Sequence, residues 1–427
     1  MSAAFIRSAY SILGTSLTPA LTLWLERRAR RGKEDPFRMG ERFGYASLPR
    51  PEGTLVWLHA ASVGEAQSVL TLVRALLAQH AFLSVLITTG TVTSAALIAQ
   101  QHLPRVVHQF VPIDTPASVR RFLNHWRPDM ALWVESEFWP QLLWQLQARH
   151  IPALLINARI SQKTFEGWKR WPRTIHSLLQ SFTSIYAGSA EDANRLRALG
   201  AHDVREAGNL KFDAAPLPVD NKLLDELRRQ MNGRHVLVAA STHANEEHYV
   251  AQAHTHAAQQ FPQLLTIIVP RHATRGDNIV ADLRAKGYVL AQRSKSDPIS
   301  PTTQIYLADS MGELGTFYSI ADVVFMGGSL IAHGGQNPLE AARFGKALLT
   351  GPHTHNFASI IAAFEAAHAI EVVADKGALA HAIGRLLADD AARQQRADDA
   401  AHVVEQHRGA SSSILQHCAE LLPRSGA

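Results

Sequence analysis

The sequence predicts an α/β protein made of two doubly wound domains. Three observations carry this. Apolar runs alternate with helical patterns from about residue 55 to 210, as in βαβ units. The alternation restarts near residue 235, after a break containing Pro216 and Pro218. With 427 residues, the chain is too long for one ordinary core, and about two or three domains is the natural expectation.

The first element is the N-terminal segment. Ser8 to Leu25 carries no charge, and Ile6, Tyr10, Leu13, Leu17, Leu21 and Trp24 recur every three or four residues. This predicts a helix with one apolar face. Serine and threonine dilute the rest and Pro19 interrupts it, which favours an interfacial helix over a span. Arg27, Arg28, Arg30, Arg31 and Lys33 follow, suited to anionic headgroups on the cytoplasmic side. A basic cluster after the apolar run argues against a secretory signal. An ordinary surface helix packed on the domain is the bland alternative.

Strands are predicted at Leu55–Leu58, Ser84–Thr88, Val106–Phe110, Met130–Val134, Ala153–Ile156 and Ser184–Ala187 in the first half. In the second they fall at His235–Ala240, Leu265–Val269, Gln304–Leu307, Val323–Met326, Ala347–Leu349 and Ile370–Val373. The expected divisions are residues 1–33 (membrane-associating helix and basic segment), 34–215, 216–405, and 406–427, a last helical stretch able to cross back onto the first half. Two such domains would face each other across a cleft.

Composition narrows the function. An apolar fraction of 46% with 19% charged residues describes a folded chain. The single cysteine, Cys418, forms no internal disulfide, and no Cys/His cluster has zinc spacing. Net charge is +5, with 22 histidines, which favours anionic partners. The aromatics are not broadly interleaved with basic residues as a nucleic-acid platform requires, so nucleic acid is not an expected partner. GxGxxG is missing after the first strand of either half and GxxxxGK[ST] from the whole sequence, removing the best support for dinucleotide and P-loop chemistry.

The candidate chemistry lies at strand ends, where open α/β sheets bind ligands. After Leu55–Leu58 come Ser62-Val63-Gly64-Glu65, with Glu65 in the first turn of the next helix. Glu65 is either half of a capping box with Ser62 or a general base. A helix N-terminus weakens a base slightly, by about 0.3–1 kcal/mol. Glu135-Ser136-Glu137-Phe138-Trp139-Pro140 follows the fourth strand, and Asn157-Ala158-Arg159 the fifth. Gly208-Asn209-Leu210-Lys211-Phe212-Asp213 closes the half with a lysine suited to a carboxylate or phosphate. In the second half, Pro270-Arg271-His272 with Arg275 and the turn Met326-Gly327-Gly328-Ser329 suit a phosphate. Ser310 to Glu313 and Asn337-Pro338-Leu339-Glu340 both have capping-box spacing. Spacing does not separate capping from ligand binding at any of the three glutamates.

Taken in order, these segments, together with Arg38-Met39-Gly40-Glu41-Arg42-Phe43-Gly44 and His59-Ala60-Ala61, resemble the 3-deoxy-D-manno-octulosonic acid (Kdo) transferases of lipopolysaccharide synthesis. The resemblance implies a GT-B fold. It implies inverting transfer of Kdo from CMP-Kdo to a phosphorylated lipid A precursor of the lipid IVA type, with no metal or other cofactor. The expected place is the cytoplasmic side of the inner membrane, against its anionic surface. On that pattern Glu65 is the catalytic base, and Glu135 and Lys211 stabilise the transition state. CMP contacts fall on Pro270, Arg271, Met311, Gly312, Glu313, Asn337, Pro338, Leu339 and Glu340. The chain departs from the family at Gln336, where histidine is usual, at Ala341, where proline is usual, and at Ser136, where threonine is common. Competing expectations are a GT-B lipid glycosyltransferase using a UDP-sugar, a GT-B-type sugar-nucleotide epimerase, and a non-catalytic membrane scaffold.

Overall fold

A computed structural model describes residues 3–422. The chain forms two compact units, residues 1–214 with 407–427 and residues 215–406.

In the first unit the uncharged N-terminal segment is two helices rather than one. α1 (Ala3–Ser16) and α2 (Thr18–Arg30) break at Leu17, and Pro19 sits near the start of α2, where its missing N–H is harmless. A short turn, α3 (Met39–Arg42), precedes β1 (Thr54–His59), α4 (Val63–Gln79), β2 (Leu83–Thr89), α5 (Val92–Gln100), β3 (Val106–Phe110) and α6 (Pro116–Trp126). Then come β4 (Met130–Val134), α7 (Pro140–Ala148), β5 (Ala153–Ala158), α8 (Gln162–Lys169), α9 (Pro172–Leu179), β6 (Ser184–Ala187), α10 (Ala190–Ala198) and β7 (Val204–Glu206). The seven strands run parallel in the order β3-β2-β1-β4-β5-β6-β7. Parallel strands covered on both faces read as continuous apolar runs, and Leu55–Leu58 is fully buried. One face packs Trp57, Phe122, Trp126 and Trp133, and the other packs α4 and the C-terminal helix Ala410–Leu421 through Ile414 and Cys418. Burial pushes the Cys418 thiol up to about 12, so it packs as a small apolar group.

The second unit comprises α11 (Asn221–Met231), β8 (Val236–Thr242), α12 (Glu246–Gln260), β9 (Leu265–Pro270), α13 (Gly276–Ala285), β10 (Leu290–Gln292) and β11 (Ile305–Leu307). It continues with α14 (Leu314–Ile320), β12 (Val323–Met326), α15 (Pro338–Ala342), β13 (Ala347–Thr350), α16 (Ala358–Ala366), β14 (Ile370–Val372), α17 (Lys376–Ala388) and α18 (Asp390–Gln406). Its parallel sheet has the order β10-β11-β9-β8-β12-β13-β14.

Strand order reverses direction between β1 and β4 in the first sheet, and between β8 and β12 in the second. Beyond the carboxyl ends at such reversals lies the ligand crevice of each unit. Edge strands β7 and β10, three residues each, are absent from the sequence expectations.

Candidate active site

The reversal point of the first sheet gathers residues from four loops. Ser62 caps α4 and accepts the Glu65 N–H at 3.3 Å. The return half of the expected capping box differs. Glu65 accepts the N–H of Ala61 (2.8 Å) and the Ser62 hydroxyl (2.7 Å), so its carboxylate lies over the turn that leaves β1. The side chain is therefore both a helix-start anchor and a buried carboxylate at the strand end, with 8% of the residue exposed. Burial pushes its carboxyl above the usual range. The Ser62 and Ala61 bonds pull it down, and the charges of Glu135 and Glu137 add to the rise.

Glu135 follows β4 in a left-handed conformation (φ 58°), and Asn157 near the end of β5 has φ 52°. Two non-glycine residues at positive φ on neighbouring strand ends mark strained backbone of the kind concentrated at functional sites. Asn157 joins them: its amide lies 3.5 Å from the Glu135 carboxylate, and its oxygen accepts the Leu210 N–H at 3.3 Å. Asn209 caps the next turn by accepting the Lys211 N–H at 3.0 Å. Lys211 thus comes within the fields of Glu135 and Glu65. Burial lowers its pKa, with Glu135 and Glu65 opposing and Arg159 assisting. Ser136 donates to the Arg159 carbonyl and accepts the Arg159 N–H at 3.2 Å, tying the β4 and β5 loops together. Glu65, Glu135 and Lys211, from separate loops, share one electrostatic site. Glu137 joins them, its carboxyl raised by burial and by Glu135, with the Trp139 indole N–H at 3.2 Å.

Other parts of the motifs are structural. Asp213 accepts the N–H groups of Gly409 (2.8 Å) and Ser411 (2.6 Å), capping the C-terminal helix. Glu41 is buried, accepting the Phe110 N–H (2.7 Å), the Ser47 hydroxyl (2.7 Å) and Arg38 (2.9 Å). Arg42 donates to Glu34 (2.9 Å) and to the Val111 (3.0 Å) and Gly90 (2.6 Å) carbonyls, pinning the loops after β3 and β2. Gly44 must be glycine, since φ is 82° and a Cβ would meet the Ser118 carbonyl at 2.0 Å. His59 ends β1 against Thr88 (2.9 Å) and Trp133, its pKa pushed down to about 3 by burial first, so it is a neutral packing group.

The second unit revises several expectations. The Gly327-Gly328-Ser329 turn does not offer its amides to a phosphate: Glu246 accepts the N–H groups of Gly328 (2.6 Å), Ser329 (3.0 Å) and Leu330 (3.0 Å). Arg275 is held by Glu247 at 2.7 and 3.1 Å. Ser310 does not cap α14. It donates to the Glu313 carboxylate, which Arg293 also clamps at 2.7 and 3.1 Å. Burial pushes Glu313 up, but these bonds outweigh it and the carboxyl sits below its usual range. Asn337 caps α15 through the Leu339 N–H (3.2 Å) with Pro338 first in the helix, as the pattern predicts. Leu339 is fully buried, and burial raises the Glu340 carboxyl against Arg343, Asn337 and Arg271. Pro270 ends β9, Arg271 stands exposed beyond it, and Met311 is exposed beside Gly312, whose φ is 85°. Gln336, in place of the usual histidine, lies 3.0 Å from the ring of His243. Burial, then His333, lowers the His243 pKa to about 4. Glu246 was missed by sequence reasoning. Its signal was a glutamate three residues past His243, opening the helix after the first strand as Glu65 does.

Two parallel-sheet, Rossmann-like units, with carboxylates and a lysine at one reversal point and an exposed arginine beyond a strand end in the other unit, are the architecture of the GT-B class. Residues 276–403 match the family model described as "Glycosyl transferases group 1". Residues 37–214 match "3-Deoxy-D-manno-octulosonic-acid transferase (kdotransferase)". The 3-deoxy-D-manno-octulosonic acid transferase of Haemophilus influenzae is 34% identical, covering 91% of this chain and 92% of its own. A probable mitochondrial one from Arabidopsis thaliana is 33% identical over 96% and 92%. The chain belongs to the Kdo transferases, enzymes of lipopolysaccharide biosynthesis. The UDP-GlcNAc 2-epimerase of Neisseria meningitidis, at 14% identity and TM-score 0.57 over 86% of this chain and 100% of its own, is similar in fold alone.

Proposed function

We propose that this chain transfers Kdo from CMP-Kdo to a hydroxyl of a phosphorylated lipid A precursor, with inversion and without a metal. The observation that carries the reading is the buried Glu65 carboxylate at the β1/β4 reversal, its pKa raised, beside Glu135 and Lys211. A sugar hydroxyl is a poor nucleophile near neutral pH. A carboxylate positioned to take its proton contributes roughly 10²–10⁴-fold in rate.

The acceptor oxygen attacks the anomeric carbon of Kdo as its bond to the CMP phosphate oxygen breaks, and Glu65 takes the hydroxyl proton. One displacement inverts the centre. CMP leaves carrying the bonding pair, and its charge is met by Arg271. Lys211 offsets the Kdo carboxylate, and the charge of Glu135 favours the protonated lysine against its burial. Pro270, Met311, Gly312, Glu313, Asn337, Pro338, Leu339 and Glu340 frame CMP. Glu313 and Asn337 act chiefly by holding loops, given their bonds to Arg293 and to the Leu339 N–H.

Association with the cytoplasmic face of the inner membrane is part of the reading. No helix among the described residues is long and apolar enough to cross a membrane. Ile12, Leu13, Leu23 and Trp24 are exposed on α1 and α2, with Arg27, Arg30, Arg31 and Lys33 exposed beside them. That combination suits an interfacial, anionic surface. The test incubates purified protein with CMP-Kdo and a tetra-acylated lipid A precursor, with excess chelator, and reads products by mass. Adducts of one or more Kdo units support the proposal. Transfer from a UDP-sugar alone, or loss of activity with chelator, overturns it.

A further inference from the structure

A cavity of about 430 Å³ opens in the first unit between the N-terminal helices and the loops after β2 and β3. Protein interiors contain few voids larger than a water molecule, whereas this volume falls in the range of ligand pockets. Tyr10, Leu17, Leu21 and Trp24 line it from α1 and α2, and Val111 and Ile113 from the sheet side. These helices are anchored: Ile6 and Tyr10 pack on the core, and Tyr10 donates to Asp114 at 3.1 Å. The space beside them is therefore held open by the fold. Leu17 and Trp24 remain 44% and 52% exposed, so the cavity is also reached from outside.

Polar groups line it too, among them Arg28, Glu34, Arg42 and Asp114. Ala61 and Glu137 belong to the lining. Ala61 donates its N–H to Glu65, and Glu137 is among the charges that raise the Glu65 carboxyl. The cavity, largely apolar on its helix side, thus reaches the turn that holds the proposed base. An occupant with an apolar tail and a polar head at the Glu65 turn matches this lining, and an acylated sugar has both.

We propose that this cavity takes one acyl chain of the acceptor and thereby registers the acceptor's hydroxyl at Glu65. The inference rests on the lipid A precursor reading above and adds where the lipid is held. Acyl burial predicts that transfer efficiency depends on chain length, by about fourfold per methylene group buried.

The experiment compares two acceptors with the same phosphorylated disaccharide, one with long and one with short acyl chains, both in detergent micelles. Wild type and Leu21→Trp, which fills the cavity, are measured for kcat/KM on each, with melting temperature and binding to anionic phosphatidylglycerol vesicles as further readouts. Wild type should prefer the long-chain acceptor, through KM. Leu21→Trp should cut that preference by about tenfold, the equivalent of one to two buried methylene groups, while melting and vesicle binding stay near wild type. An equal preference in both proteins overturns the proposal, as does loss of vesicle binding with preference retained, which assigns the face to the bilayer. Transfer by wild type to neither acceptor is a different result, the failure of the lipid A reading itself. If Leu21→Trp melts early, Leu17→Trp reads the same preference from the more exposed wall.

Discussion

Glu65 and Glu246 occupy corresponding places: each lies in the first turn of the helix that follows the first strand of its unit. Their surroundings differ. Glu65 accepts one backbone N–H and one hydroxyl and feels two other carboxylates. Glu246 is fully buried and accepts four backbone N–H groups, from His243, Gly328, Ser329 and Leu330. Burial raises the Glu246 carboxyl too, against the four N–H bonds that lower it, but those bonds occupy both its oxygens and leave little to offer a substrate proton. A carboxylate with two donors and like-charged neighbours keeps a lone pair of raised basicity. On the proposed reading the same position serves chemistry in one unit and scaffolding in the other, and the number of donors separates the two.

The sharpest way to break this comparison is Glu65→Gln. The amide oxygen can still accept the Ala61 N–H. Transfer should fall by roughly 10²–10⁴-fold, with melting temperature and CMP affinity close to wild type. Were Glu65 only an anchor, turnover would survive, since the amide keeps the bond to Ala61 and the Ser62 cap is untouched.

The opposite pattern is expected at Glu246→Ala. It leaves buried N–H groups of the Gly328 to Leu330 turn without acceptors, a loss of about 3 kcal/mol or more at roughly 1–3 kcal/mol per unsatisfied group. In a unit of this size that lowers the melting temperature by about 6–12 °C. Normal melting with abolished turnover would reverse the assignment of roles. Gly327 shows how tight this turn is, for a Cβ there would lie 2.7 Å from the Ser241 carbonyl.

Much of this was legible in the sequence, for identifiable reasons. Long buried parallel strands such as Met130–Val134 are unbroken apolar runs, and the structure places that strand at the same residues. Three-residue edge strands such as Leu290–Gln292 are too short to carry a period. The site glutamates were visible as residues following strands, but their partners were not. Whether Glu313 faces a ligand or Arg293 depends on a residue twenty positions away, and Glu246 meets an N–H 84 positions on. Local spacing suggested a cap at Ser310, where the chain instead spends the hydroxyl on the Glu313 carboxylate. Such pairings follow from tertiary packing, which i to i+3 patterns do not encode.

The alkaline side of the pH profile tests the first unit's partner to Glu65. Lys211 has a pKa lowered by burial first, so its charge is lost at lower pH than for an ordinary lysine. kcat/KM should accordingly decline on the alkaline side below the usual lysine range. Lys211→Arg should remove that decline, because a guanidinium stays charged, at some loss of rate from altered geometry. A decline that persists in Lys211→Arg assigns it to another group.

The smallest effect concerns Glu137, and it isolates like-charge repulsion from burial. Burial raises the Glu65 carboxyl first, and the charges of Glu135 and Glu137 add to that. A general base works only when deprotonated, so activity falls as pH drops through the raised pKa, and the acid limb lies above the ordinary carboxylate range. Glu137→Gln removes one negative neighbour while keeping an acceptor for the Trp139 indole. The Glu65 pKa should then fall, the acid limb should move to lower pH, and the plateau near neutrality should change little. Measured as kcat/KM against pH, the shift goes one way only. A limb that moves to higher pH, or stays fixed, would show that Glu137 does not set the basicity of Glu65. The difference from Glu246 would then rest on donor count alone.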